Sequence, residues 1–342
     1  MPSERVPVGL IFSPNWWFRN YGISFEEPFY LDRRQRIQND VTMRRALYER
    51  FGLGEPDPEP RPVIGSMHIA GGFVLPALFG VTIRFQRNEA AWPLPRNLSR
   101  EQILALQPPE IESTWPMNLI LADMEALELE FGYVIGDLNT AGLVNTGLEL
   151  RGQELFLDML EAPDVVDHLF SVLAQTQAKV ARSIQERTGT SSLAVNRSIA
   201  AADPSIYLHS NCSVQMISPQ HYRQALLKHE CRLASELRPY GIHHCGKNLQ
   251  LYASSYAETG AVFYDVGWGS DVAKCSRLLP GAFFNLRLSP VRMLQEPAAV
   301  IRSDIASLLA AAEGHEKVGL CSINMDADTP DENVRELLAA GR

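Results

Sequence analysis

The stretch that decides the fold is Gly241-Ile242-His243-His244-Cys245-Gly246, set between a helical run and a second helix start at Asn248. Upstream, Ser218-Pro219 reads as an N-cap with proline at the first helical position, and the helix then carries Tyr222, Leu226, Leu227 and Leu233. Downstream, the apolar runs Ala261–Val266, Ala282–Leu288 and Lys317–Ile323 alternate with helical stretches at 248–258, 270–279 and 297–312. Such βαβα alternation predicts parallel strands with helices packed outside them. Further upstream, 140–160 and 164–187 read as helices and 192–200 as a strand. About eight strand-helix units in one chain predict an α/β fold of the (β/α)8 TIM-barrel type, with its chemistry on the loops after the strands.

The N-terminal part elaborates on that unit. Val6–Phe12 reads as a strand and Arg33–Phe51 as a helix. The alternating prolines of Glu55-Pro56-Asp57-Pro58-Glu59-Pro60-Arg61-Pro62 favour extended chain. We therefore expect one domain over 1–342, with 1–62 as an elaboration and proline-rich linker.

Composition bounds the function. The 342 residues are 46% hydrophobic and 21% charged, with 31 basic against 40 acidic residues and a net charge of −9. No basic stripe is available to neutralise nucleic-acid phosphates. Arg33, Arg34, Arg36, Arg44 and Arg45 are diluted by Asp32, Asp40 and Glu49 and read as a solvated helix face. No apolar run approaches the ~18 residues of a membrane span, and the N-terminus lacks a signal-peptide pattern. Five scattered cysteines suit a reducing, cytoplasmic setting with thiols available for ligation or packing.

Along a strand side chains alternate, so His243 and Cys245 share a face and His244 takes the other. An imidazole and a thiol so spaced make half a zinc site, and Cys321, at the end of another predicted strand, supplies a third ligand. Three ligands leave a position for water or substrate, as in catalytic zinc sites. Two alternatives stay open: buried, inert cysteines, or a Cys–His nucleophilic pair using His243 or His209. Asp265 ends the next strand, where it can act as ligand, general base or partner of His243, or cap the following helix. His209 and Asn211 lie in the polar run His209-Ser210-Asn211-Cys212, which either lines a pocket or shapes a loop. Trp16, Trp17 and Tyr21, within Asn15-Trp16-Trp17-Phe18-Arg19-Asn20-Tyr21, suit a lid over a flat substrate or a buried wall. His68 sits among glycines in Gly65-Ser66-Met67-His68-Ile69-Ala70-Gly71-Gly72, where backbone can approach a ligand. Asp328 and Thr329 read as caps of a last helix, and Cys231 and Cys275 as core.

Met216-Ile217-Ser218-Pro219-Gln220-His221-Tyr222, the Gly241–Gly246 run and Asp328-Thr329-Pro330-Asp331-Glu332-Asn333-Val334 resemble the uroporphyrinogen decarboxylase superfamily. Leu150-Arg151-Gly152-Gln153-Glu154 and Ala162-Pro163-Asp164 extend the resemblance over nearly the whole chain. It implies a TIM barrel. The arginine-rich N-terminal motif of the decarboxylases is missing, whereas the family's zinc set in its corrinoid-dependent methyltransferases falls on His243, Cys245 and Cys321. Arg44–Gly52 and Arg61–Gly65 are more similar to the branch that demethylates methyl ethers. The resemblance thus implies a zinc-assisted transfer of methyl from a small methylated donor to a Co(I) corrinoid (cobalamin) on a separate protein. In that expectation Asp265 or His209 handles the donor, and Trp16, Trp17, Tyr21, His68 and Asn211 bind it. A homodimer is expected. The competing readings are a methylcobalamin:thiol methyltransferase, a metal-free decarboxylase and a non-catalytic binding protein.

Overall fold

In the computed structural model, residues 6–65, 72–136, 138–190 and 200–341 are described. Strands β1 (Val8–Phe12), β4 (Tyr207–Ser210), β5 (Tyr240–His244), β6 (Phe263–Val266), β7 (Phe283–Leu288) and β8 (Val318–Met325) form one sheet; β2 (Thr82–Arg84) and β3 (Trp92–Leu94) pair separately. The sheet order is β1-β8-β7-β6-β5-β4, and every pairing in it is parallel. The expected closed eight-stranded barrel is thereby corrected to a curled parallel sheet of six strands among the described residues, which is consistent with a TIM-like fold. The short antiparallel β2–β3 pair stands apart from it. The strand expected at 192–200 falls almost wholly outside the described residues.

Both faces of the sheet are buried, which is why its strands read as continuous apolar runs. On the outer face, Leu10, Phe12, Ile242, Tyr264, Phe284 and Leu320 belong to the large core shared with the helices. On the inner face, Ile11, Leu208, Phe263, Cys321 and Ile323 form a second cluster. Curling brings distant strands together: the Arg287 Nη1 of β7 reaches past β6 to donate to the Cys245 carbonyl at 2.8 Å.

The helices form for local reasons. Helix Arg33–Phe51 has the predicted bounds: Asp32 accepts from the Arg34 and Gln35 amides, and Gly52, at φ +67°, ends it. Its cationic residues are only partly a solvated face. Arg36 is buried and donates to the Val63 and Tyr30 carbonyls and to Asp123, while Arg44 is buried against Asp40. The proline-rich segment is clamped to the same helix, because Asp40 also takes both nitrogens of Arg61 at 2.8 Å. Ser218 caps as expected, but the helix it starts passes through a π-turn over Tyr222–Leu226 before Leu227–Glu236. Asp328 and Thr329 do not cap the last helix, which begins at Asp331 with no side-chain cap; Asp328 instead pairs with Arg19. Among the described residues no helix is long and apolar enough to cross a membrane.

Candidate functional site

Register places one polar row across the sheet. Ser210 of β4 lies opposite His243 of β5, His243 opposite Asp265 of β6, and Asp265 opposite Asn285 of β7. In-register parallel neighbours point to the same face. The row faces inward, above the apolar inner cluster. The His243 Nδ1 donates to Asp265 Oδ2 at 2.6 Å, and the Asn285 amide donates to Asp265 Oδ1 at 2.7 Å. Asp265 thus holds His243 from behind, the third of the roles left open for it, and the following helix is capped by Asp271 instead. His244 points the other way, as the alternation predicts. It bonds the Tyr256 hydroxyl and the Lys247 carbonyl, and burial lowers its pKa to about 4, so it stays neutral.

The third partner comes from the loop after β4. Ligand atoms of Cys212, His243 and Cys245 all lie within 4.8 Å of one another. The thiols share a proton unequally. The Cys212 thiol, then His243 and Arg287, pull the Cys245 thiol far below its usual range against the effect of burial. Cys245 and burial push Cys212 up in turn, although Ser210, 3.0 Å from its sulfur, works against them. Cys321, the expected ligand, stands outside this group. It lies in the inner apolar cluster, opposite Arg287 in the β7–β8 register, while Cys212 is the thiol that stands with His243 and Cys245.

These residues form the floor of a cleft of about 470 Å³ at the C-terminal ends of the strands. Its far wall is helix Leu143–Arg151, which presents Asn145, Leu148 and Glu149 on one face, and its rim includes Trp92 and Pro93 of β3. The helix starts hard against β4: a Cβ on Gly142 would come within 1.7 Å of the Ser210 carbonyl oxygen, so no side chain is possible there. No lysine or arginine is among the described residues lining the cleft.

The other sequence-derived candidates lie elsewhere. Trp16 and Trp17 are fully buried in the outer core, Trp16 stacked on Phe12 and Trp17 edge-on to it, and Tyr21 packs half-buried beside them. They wall the core and form no lid on this cleft. His209 and Asn211 are on the outer side of the sheet. His209 stacks on Tyr240 with Nε2 3.6 Å from Glu230 Oε1, and Asn211 donates to Glu230 at 3.1 Å. Neither reaches the cleft. His68 lies outside the described residues. Cys275 is core as expected, and Cys231 packs half-buried against it.

A row of polar groups at the carboxyl ends of parallel strands, facing an open cleft, marks this fold type's chemical end. The chain is similar to a methyltransferase from Methanosarcina mazei. The likeness covers 99% of this chain and 94% of that one, with a TM-score of 0.69 and 17% identity. At that identity the shared property is the fold. No protein-family model and no curated protein matches the sequence.

Several residues of the site escape the sequence reading, Asn285 and Arg287 among them. Glu149 lacked any signal, being one of several acids in a helical run. Cys212 was noted only as a possible pocket wall; the signal for more was its position two residues after Ser210, the same offset that separates Cys245 from His243.

Proposed function

We propose that this protein is a zinc-assisted methyltransferase that moves a methyl group from a small methylated donor, such as a methyl ether, to the Co(I) of a corrinoid carried by a separate protein. The observation that carries the reading is the Cys212–His243–Cys245 group on the floor of the cleft. The donor set fits zinc: two thiols and an imidazole nitrogen are ligands zinc takes, and they already lie within 4.8 Å of one another. Cys212, His243 and Cys245 would hold the ion, which when bound supplies Lewis acidity at the heteroatom losing its methyl group. The chain's own residues do the rest. Asp265 fixes the His243 tautomer so that Nε2 serves as the ligand atom, and Asn285 fixes Asp265. Arg287, buried beside Cys245 and Cys321, offsets the anionic charge of the thiolates. Leu148, Ile323 and the alanines and prolines of the wall supply apolar contact for the donor. The donor's carbon–oxygen bond breaks with its electron pair left on oxygen, and the methyl group is received by the nucleophilic cobalt.

Among the described residues the lining offers no cation of the kind a decarboxylase of polycarboxylates needs in its wall.

The test is zinc content of purified chain and variants, followed by methyl transfer from methyl ethers to a Co(I) corrinoid. About one zinc per chain, lost in Cys212→Ala and Cys245→Ala, is expected. Retention of zinc in Cys321→Ala would fix the three-residue set, and its loss would add Cys321 as a ligand. Metal-free protein prepared without chelators would sink the reading.

A further inference from the structure

Glu149 is the single carboxyl among the described residues lining the cleft. Its Oε2 is buried and has no hydrogen-bond partner among the described residues. Two neighbouring arginines are engaged elsewhere: Arg151 with Asp158 and the Leu98 carbonyl, and Arg96, whose backbone amide donates to the Glu149 carbonyl, with the Phe79 carbonyl. Burial pushes the carboxyl up to about 8, and the last turn of a helix, with its exposed carbonyls, further disfavours a negative charge. An unpartnered buried acid is costly to a fold. No described residue packed on helix Leu143–Arg151 partners that oxygen, and the cavity beside it is open.

We propose, resting on the methyl-transfer reading of the same cleft, that Glu149 selects the substrate and that this substrate carries an ammonium group at the end away from the transferred methyl. An anion would meet no lysine or arginine among the described residues of the lining. A neutral, apolar tail would leave the buried oxygen unpaired. An alkylated ammonium is weakly hydrated for a cation, so it enters a cleft of alanine, proline and leucine at the least desolvation cost. The Trp92 indole at the rim, 61% exposed, adds an aromatic face of the kind that attracts such cations. On binding, Glu149 releases its proton to solvent and the resulting ion pair is neutral.

The experiment is calorimetric titration of the full chain with (2-methoxyethyl)trimethylammonium and with its uncharged carbon isostere, 3,3-dimethylbutyl methyl ether. The cation is expected to bind about tenfold or more tighter, a ratio equivalent to ~1.4 kcal/mol. Titrations at pH 7 in buffers of different ionisation enthalpy should show proton release with the cation only. Glu149→Gln should erase the ratio and Glu149→Asp should keep part of it. Equal binding by wild-type protein, absence of proton release, or an unchanged ratio in Glu149→Gln would overturn the proposal, and the first two do not depend on a variant folding. The readout needs neither zinc nor corrinoid. Cys245→Ala should lose methyl transfer while keeping the preference for the cation, so failure of the catalytic reading and failure of this one are distinguishable.

Discussion

His243 is held at Nδ1 by a carboxylate that is itself held, and this two-step support turns an imidazole into a directed ligand. Removing the charge while keeping the shape, in Asp265→Asn, is expected to weaken zinc binding by about 10–100-fold with the fold intact, as loss of such supporting groups does elsewhere. Competition against a zinc indicator measures it, and unchanged affinity would mean that Asp265 does not orient the ring. This part of the site was legible in the chain. The two-residue spacing of His243 and Cys245 fixes their common face, and Asp265 follows at the matching place on the next strand. His209 and Asn211 were not legible in the same way. A strand buried on both sides carries no polar-out, apolar-in signal, so Tyr207-Leu208-His209-Ser210 does not say which pair faces inward. Both candidates fell on the outer side. Cys321 stands outside the Cys212–His243–Cys245 group for a related reason: sequence gives a cysteine's place along its own strand, while across strands register and curl decide which thiols meet.

At the scale of elements, buried charges join pieces whose sequences give little hint of contact. Asp158, on helix Glu154–Glu161, is bonded by Arg151 at 2.7 Å and Arg100 at 2.8 Å, tying three short helices together. Burial works to raise its pKa, but the two arginines more than offset this and the net shift is downward. A carboxylate with a depressed folded pKa stabilises the protein above its unfolded value, about 3.9, and that contribution fades as pH falls through the folded value. Asp158→Asn is therefore expected to cost about 1.5–3 kcal/mol near neutrality, the range for hydrogen bonds to charged groups. The difference should shrink steadily below pH 4 in urea unfolding curves. A penalty independent of pH would refute the ionic account. The aromatic run shows how composition and local signals diverge. Four aromatics in seven residues allow a lid or a wall, yet Ser13, whose hydroxyl accepts from the Trp16 amide, and Pro14 already mark a helix start. That helix buries both tryptophans.

For the whole molecule, the sheet joins the beginning of the chain to its end. β1 lies beside β8, Arg19 reaches Asp328, and Arg50 both pairs with Asp331 and lies over the Trp16 ring at 4.9 Å. The N-terminal elaboration is thus wedged against the last strand and helix. Leu10→Ala, at a fully buried position of β1, is expected to cost about 2–5 kcal/mol, as deleting a core leucine side chain does. It should also lower the midpoint of unfolding seen by zinc-site probes and by far-UV dichroism alike. Separate midpoints would mean that the elaboration melts on its own.

This pairing has a consequence for how the protein is made. Val8–Phe12 leaves the ribosome early, but the strand it pairs with begins only at Val318. At roughly 5–20 residues per second the early strand waits on the order of 15–60 s without its partner. During that time Val8-Gly9-Leu10-Ile11-Phe12 is an apolar segment with unpaired backbone groups, exposed to whatever else in the cell can pair with it. A nascent chain stalled short of residue 318 should need a chaperone that its finished form does not.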